Sequence, residues 1–270
     1  MIELDKIYNE DCLEGMKRIA DGAVDCIITD LPYGTTACAW DSVIPFEPLW
    51  EQFKRVTKPN AAIVLFGSEP FSSYLRLSNI KWYRYDLIWD KEKGTGFANA
   101  NKMPMKSHEN ISVFYQHLPT YNPQMGSGEP YTRKGRVRKN GSRIFSAREL
   151  TEEERRNPQN IKDKTSIASV VSLKRVSNGE RYPLSVVYCS NANHFDVKHP
   201  TQKPVDLLRY LILTYSNEGD TILDATIGSG TTAVAALMEK RHFIGFETNK
   251  EYFDKACKRI TDEQKQLTLF

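Results

Sequence analysis

The chain has 270 residues, of which 40% are hydrophobic and 26% charged, the balance of a soluble globular protein with one large domain or a domain carrying an insertion. No apolar run is long enough to span a membrane, and residues 1–6 lack the basic start and apolar core of a signal peptide. The net charge of +3 does not identify a nucleic-acid partner, and five cysteines at 12, 26, 38, 189 and 257, with no close pair, argue against a disulfide framework or zinc cluster and for a reducing cytoplasm.

In chain order, Asp11 lies near the start of a first predicted helix, where it suits a cap. Residues 24–29 form a short apolar run ending at Asp30, a buried-strand pattern. A helix is predicted over 45–56, because Phe46, Leu49, Trp50, Phe53 and Val56 recur at helical spacing and Pro45 suits its first turn. Residues 61–66 read as a second buried strand, 69–77 as a short helix, and 82–89 and 111–116 as β-rich strands. This alternation favours a mostly parallel sheet covered on both faces.

Over 118–190 the periodicity fades and Gly, Pro and charged residues dominate. The stretch is too long for a connection in a compact domain, so it reads as an insertion. A helix follows over 204–216, with Leu207, Leu208, Leu211 and Ile212 on one face. Then come a strand over 220–224, a helix over 231–240, a strand over 242–247 and a helix over 249–264, ahead of a frayed tail.

Ligands of such sheets bind beyond the carboxyl ends of the strands, and chemistry-bearing residues cluster there. Asp224-Ala225-Thr226-Ile227-Gly228-Ser229-Gly230-Thr231-Thr232 reads as a strand that stops at a glycine turn and opens a helix. That turn lets backbone approach a nucleotide-like ligand, although many such turns only join a strand to a helix. Glu247 ends the next strand, about 20 positions after the glycine turn, a spacing that favours accepting hydrogen bonds from ribose hydroxyls over a role as a helix-cap neighbour on the surface. The early strand delivers a second loop, Asp30-Leu31-Pro32-Tyr33-Gly34.

These segments resemble the motifs of one family. Asp30-Leu31-Pro32-Tyr33 resembles the Asp-Pro-Pro-Tyr motif of the amino-group DNA methyltransferases, which methylate adenine at N6 or cytosine at N4. Asp224 to Thr232 resembles their S-adenosylmethionine motif, and His199-Pro200-Thr201-Gln202-Lys203-Pro204 the motif that precedes it. His108-Glu109 before the strand also fits. With the catalytic motif first and the cofactor motif last, the order is that of the β-class. Leu31 departs from the first proline of the catalytic motif, where the family uses only the backbone carbonyl. Ala225 and Thr226 replace Pro and Phe in the cofactor motif, removing an aromatic contact.

The resemblance implies an α/β, Rossmann-like methyltransferase fold with a mostly parallel central sheet and permuted motif order. It divides the chain into a catalytic half (1–117), a target-recognition insertion (118–190) and a cofactor half (191–270). It implies Asp30, Leu31, Pro32 and Tyr33 as the catalytic loop. The cofactor set is Asp11, Asp30, Lys203, Asp224, Thr226, Gly228, Gly230, Thr231, Thr232 and Glu247. S-adenosylmethionine is the implied cofactor and double-stranded DNA the partner. No membrane or metal is expected, since His108, His194 and His199 lack a metal-ligand spacing. A homodimer is left open.

Asp30 and the Leu31 carbonyl would accept the two N–H bonds of a base amine, aim its lone pair at the sulfonium methyl and receive the released proton. Tyr33 would offer a face to a flipped base, or else pack in the core. In the insertion, Arg133, Lys134, Arg136, Arg138, Lys139 and Arg143 form a basic run suited to phosphate and guanine contacts, or else a solvated loop; Lys174 and Arg175 are weaker candidates.

The leading reading is an adenine-N6 DNA methyltransferase, since Asp at the head of the motif is more often linked to adenine and Ser to cytosine. Cytosine-N4 methylation, an RNA or small-molecule substrate, and a non-catalytic DNA-binding relative are the alternatives. The motifs do not separate a partner of a restriction enzyme from a solitary enzyme.

Overall fold

The computed structural model describes residues 2–34, 41–134, 174–190 and 202–267. Along the chain run β1 (Lys6–Tyr8), α1 (Cys12–Met16), β2 (Val24–Thr29), α2 (Phe46–Val56), β3 (Thr57–Gly67), α3 (Phe71–Ser78), β4 (Tyr83–Thr95) and β5 (Lys106–Phe114). The short strands β6 (Gly126–Ser127), β7 (Tyr131–Lys134), β8 (Lys174–Ser177) and β9 (Glu180–Arg181) follow. Then come β10 (Val186–Tyr188), α4 (Val205–Tyr215), β11 (Thr221–Asp224), α5 (Thr231–Met238), β12 (His242–Phe246) and α6 (Lys250–Leu267).

Eight strands form one sheet in the order β1-β12-β11-β2-β3-β5-β4-β10. The pairs β1·β12, β12·β11, β11·β2, β2·β3 and β4·β10 are parallel; β5 runs antiparallel to both β3 and β4. The sheet is thus mostly parallel, with one reversed strand that the apolar pattern of 111–116 did not reveal.

Side chains alternate between two cores, as the two-residue period of a strand requires. On β3, Ala62, Val64 and Phe66 pack with Leu207, Leu208, Leu211 and Ile212 of α4 and with Ala233 and Ala236 of α5. Ile63 and Leu65 face the other way, onto Leu49, Trp50 and Phe53 of α2 and Leu75 of α3. Because both faces are covered, the middle of the central strands, Cys26–Ile28 of β2 and Ala61–Phe66 of β3, is apolar without alternation.

Two strands of the main sheet escaped the sequence reading, as did the four short strands β6 to β9. β1 is three residues long and carries no alternation. β10 lies within the 118–190 stretch read as insertion, yet it pairs with β4 and belongs to the main sheet. The second compact unit is Met125–Pro183, in which β6 pairs with β9 and β7 with β8. α6 continues to Leu267, past the predicted end at 264.

Candidate active site

The central pairing of β11 with β2 is what assembles the site. Leu223 lies in register with Ile27, so Asp224 and Asp30, remote in sequence, leave the sheet side by side at its carboxyl edge. Thr226 ties the two loops together. Its hydroxyl donates to the Asp30 carbonyl at 2.9 Å and lies 2.9 Å from the Thr29 hydroxyl, while its backbone N–H donates to Asp224 Oδ1 at 3.1 Å. The position expected to lack a useful aromatic therefore carries a polar cross-link between the two motifs.

A cavity of about 330 Å³ opens at this edge. Asp30, Leu31, Pro32, Tyr33, Lys203, Asp224, Thr226, Gly228, Thr231, Thr232 and Glu247 all line it. Asp11 does not: its carboxylate accepts from the Leu13 N–H at 2.8 Å and the Glu14 N–H at 3.3 Å, so it caps α1. Gly230 is also absent from the lining. It has φ +78°, and an added Cβ would come within 3.2 Å of Ala256 Cβ, so its requirement is a left-handed turn packed on α6. Gly228, at φ +53°, differs, because the nearest atom to an added Cβ is the Thr226 carbonyl oxygen at 4.0 Å.

Asp30 is held at both oxygens. Tyr33 Oη donates to Oδ1 at 2.5 Å, and Lys203 Nζ to Oδ2. Lys203 also lies 3.3 Å from Glu109 Oε2, and Lys91 Nζ donates to Glu109 Oε1 at 2.6 Å. Asp30, Lys203, Glu109 and Lys91 so form a chain of alternating charge across the cavity. The Lys203 ammonium stands 5.2 Å from the Phe66 ring centre and 6.0 Å from those of Trp89 and Tyr33, within cation–π range. One face of Tyr33 stacks on Phe71 at 5.0 Å, so the ring is anchored in the core and also lines the cavity.

Burial pushes the Asp30 carboxyl above the ordinary carboxylate range; Glu109 adds to the push and Lys203 opposes it. Burial acts the same way on Glu109, but Lys203 and Lys91 outweigh it and hold that carboxyl low. Lys203 is held above the usual lysine range, because Asp30 and Glu109 outweigh its desolvation. Asp224, 4% exposed, is pushed up to about 6 by burial, against hydrogen bonds from Thr232, Thr29 and the Thr226 backbone. Glu247 is raised by burial while accepting from the Gly228 N–H at 3.0 Å and the Asn249 N–H at 2.7 Å.

Lys91, Phe66, Trp89 and Tyr252 also line the cavity and were not singled out from the sequence. Strand residues that reach a site from across a sheet carry no local signal. Within Met125–Pro183, Arg133 and Lys134 stand on β7, in register with Arg175 and Lys174 of β8. Arg136, Arg138, Lys139 and Arg143 lie outside the described residues, as do His194 and His199.

A mostly parallel sheet with covered faces, and a cavity where two strand-end loops meet, define an α/β enzyme with a nucleotide-type ligand site. Residues 24–258 match the DNA methylase family, and the chain belongs to it, as a DNA methyltransferase of the N6/N4 type. It is 26% identical to the type II methyltransferase M.HpaI of Haemophilus parainfluenzae, over 96% of this chain and 74% of that protein. Among solved structures, the M1.HpyAVI–SAM complex superposes with a TM-score of 0.61 at 23% identity, over 94% of this chain and 98% of the other. The PvuII DNA methyltransferase (cytosine-N4-specific) superposes with a TM-score of 0.62 at 14% identity, over 97% and 91%.

Proposed function

We propose that the chain transfers a methyl group from S-adenosylmethionine to the N6 amino group of adenine flipped out of duplex DNA. The observation that carries this reading is the meeting of the Asp30–Tyr33 loop and the Asp224–Thr232 turn in one cavity. The lining suits a cationic nucleoside: Asp30, Asp41, Glu109, Asp224 and Glu247 face Lys91 and Lys203, an acidic excess that favours a sulfonium. Open space at Gly228 admits a close ligand. The Glu247 carboxylate, held by the backbone of Gly228, Thr248 and Asn249, keeps acceptor capacity for ribose hydroxyls, and Gln202 Oε1 is buried with no hydrogen-bond partner among the described residues.

When bound, the cofactor supplies an electrophilic methyl group. The chain supplies position and charge. Tyr33 and Lys203 fix the plane of the Asp30 carboxyl, which with the Leu31 carbonyl accepts the two N–H bonds of the amine. An amine held this way turns its lone pair out of the base ring. Asp30, with its proton affinity raised by burial, takes the proton that the amine releases. Target recognition is assigned to the insertion. Four basic residues, Arg133, Lys134, Lys174 and Arg175, occupy paired backbone positions on β7 and β8, a composition suited to phosphate contact.

Plasmid DNA methylated by the purified protein and digested to nucleosides should contain N6-methyladenine by mass spectrometry. Asp30→Ala should abolish transfer while calorimetric binding of S-adenosylmethionine survives. N4-methylcytosine as the sole product would overturn the choice of base, and near-normal turnover of the variant the role of Asp30.

A further inference from the structure

The β4–β5 hairpin rises from the rim of the cavity. Its base is part of the site, because Lys91 and Thr95 line the cavity. Thr95 and Lys106 pair in register, and the Thr95 hydroxyl donates to the Lys106 carbonyl at 3.0 Å. Beyond that pair the tip is ordered by its own backbone: Asn99 N–H donates to the Gly96 carbonyl at 3.0 Å, Ala100 to Phe97 at 3.0 Å, and Lys102 to Asn99 at 2.8 Å. Gly96, at φ +88°, makes the turn that presents Phe97.

The tip is apolar and basic together. Phe97 is 81% exposed, and Met103 and Met105 are exposed beside it in sequence. One exposed aromatic needs no explanation, but three large exposed apolar side chains within the ten residues that close one hairpin are a feature of interaction surfaces. Residues 91–106 carry four lysines against one glutamate, a net +3 that equals the net charge of the whole chain. Lys91 is engaged by Glu109 and Lys106 by the Ser68 hydroxyl, whereas Lys93 and Lys102 are exposed on the tip. A basic surface with an exposed ring, at the mouth of a cavity that takes a flipped base, is complementary to an anionic duplex with a gap in its stack.

We propose that this hairpin is a DNA-contacting wedge: Phe97 enters the stack beside or in place of the flipped base, and Lys93 and Lys102 contact the flanking phosphates. The inference rests on the DNA methyl-transfer reading and adds to it a second DNA surface, separate in sequence from the basic insertion. Apolar side chains that fill an unstacked step offset the cost of opening it.

The test compares Phe97→Ala with wild type on two duplexes, one with a paired target base and one with that base mispaired. On the paired duplex the variant should methylate roughly tenfold more slowly or worse, the scale of one lost stacking contact. The mispaired duplex, already partly open, should restore most of the rate. Lys93→Ala with Lys102→Ala should flatten the slope of log affinity against log salt by about 0.9 per lost contact. Equal rates for wild type and Phe97→Ala on both duplexes would overturn the wedge, as would equal loss on both. An inactive wild type on every DNA would instead sink the functional reading itself, so the two failures are distinguishable.

Discussion

Lys203→Met is the perturbation that probes the buried charge chain most directly. It keeps the length of the side chain and removes the cation between Asp30 and Glu109. The side chains of Lys203 and Glu109 are 10% and 14% exposed, and that of Asp30 26%. Deleting one partner of a buried pair costs about 3–5 kcal/mol. Solvent at Asp30, and the Lys91 that still neutralises Glu109, place this case near the lower end, about 3 kcal/mol. For a chain of this size that is a fall in melting temperature of about 6–12 °C.

The loss has a pH signature. The raised Lys203 contributes stability that is fully present below its ordinary pKa of 10.5 and fades only as pH rises through its higher folded value. Across the neutral range the wild type therefore keeps it. Without the cation, Asp30 moves further up and Glu109 loses part of what holds it low. A carboxyl whose folded pKa is raised binds its proton more tightly folded than unfolded, so stability falls as pH rises past the unfolded value. The gap between wild type and variant should widen as pH rises above the ordinary carboxylate range, because the variant binds those protons more tightly when folded than the wild type does. Calorimetric melting at a series of pH values measures it. A gap that does not change with pH, or a fall under about 2 °C, would refute the reasoning.

Glu247→Ala should weaken S-adenosylmethionine binding, because ribose hydroxyls would lose a charged acceptor; unchanged affinity by calorimetry would place the ribose elsewhere. Tyr33→Ala should weaken the flipped-base complex by roughly 1–3 kcal/mol. It should also free Asp30 Oδ1, visible as a shift in the pH dependence of the rate. Unchanged kinetics on duplex DNA would reduce Tyr33 to its stacking on Phe71.

The helices were legible because their apolar positions follow the helical period. The residues at 46, 49, 50, 53 and 56 predict α2, and Leu49, Trp50, Phe53 and Val56 are its buried face. Strand direction was not legible. Over residues 111–114, β5 is as buried as the β3 strand it pairs with, and nothing in a period of two records which way a strand runs. β10 was hidden for a different reason: three residues, two of them exposed, after an irregular stretch carry too little pattern to stand out, and only pairing with β4 makes them a strand.

The site divides along the same line. Glycine turns and strand-end acids announce themselves because backbone conformation and charge placement are local requirements. Gly228, Asp224, Glu247 and Asp30 were found in this way. Lys91, Phe66 and Trp89 were not, since they reach the site only through the neighbours that the sheet order gives them. Thr226 shows most clearly how position outweighs residue type. In the family pattern this position is an aromatic; placed by the β11–β2 pairing, Thr226 is a hydroxyl 2.9 Å from the Asp30 carbonyl, joining the Asp224–Thr232 turn to the Asp30–Tyr33 loop. That bond couples the backbone of the Asp30–Tyr33 loop to that of the Asp224–Thr232 turn, so the departure from the motif changes what holds the two loops together and leaves their placement intact.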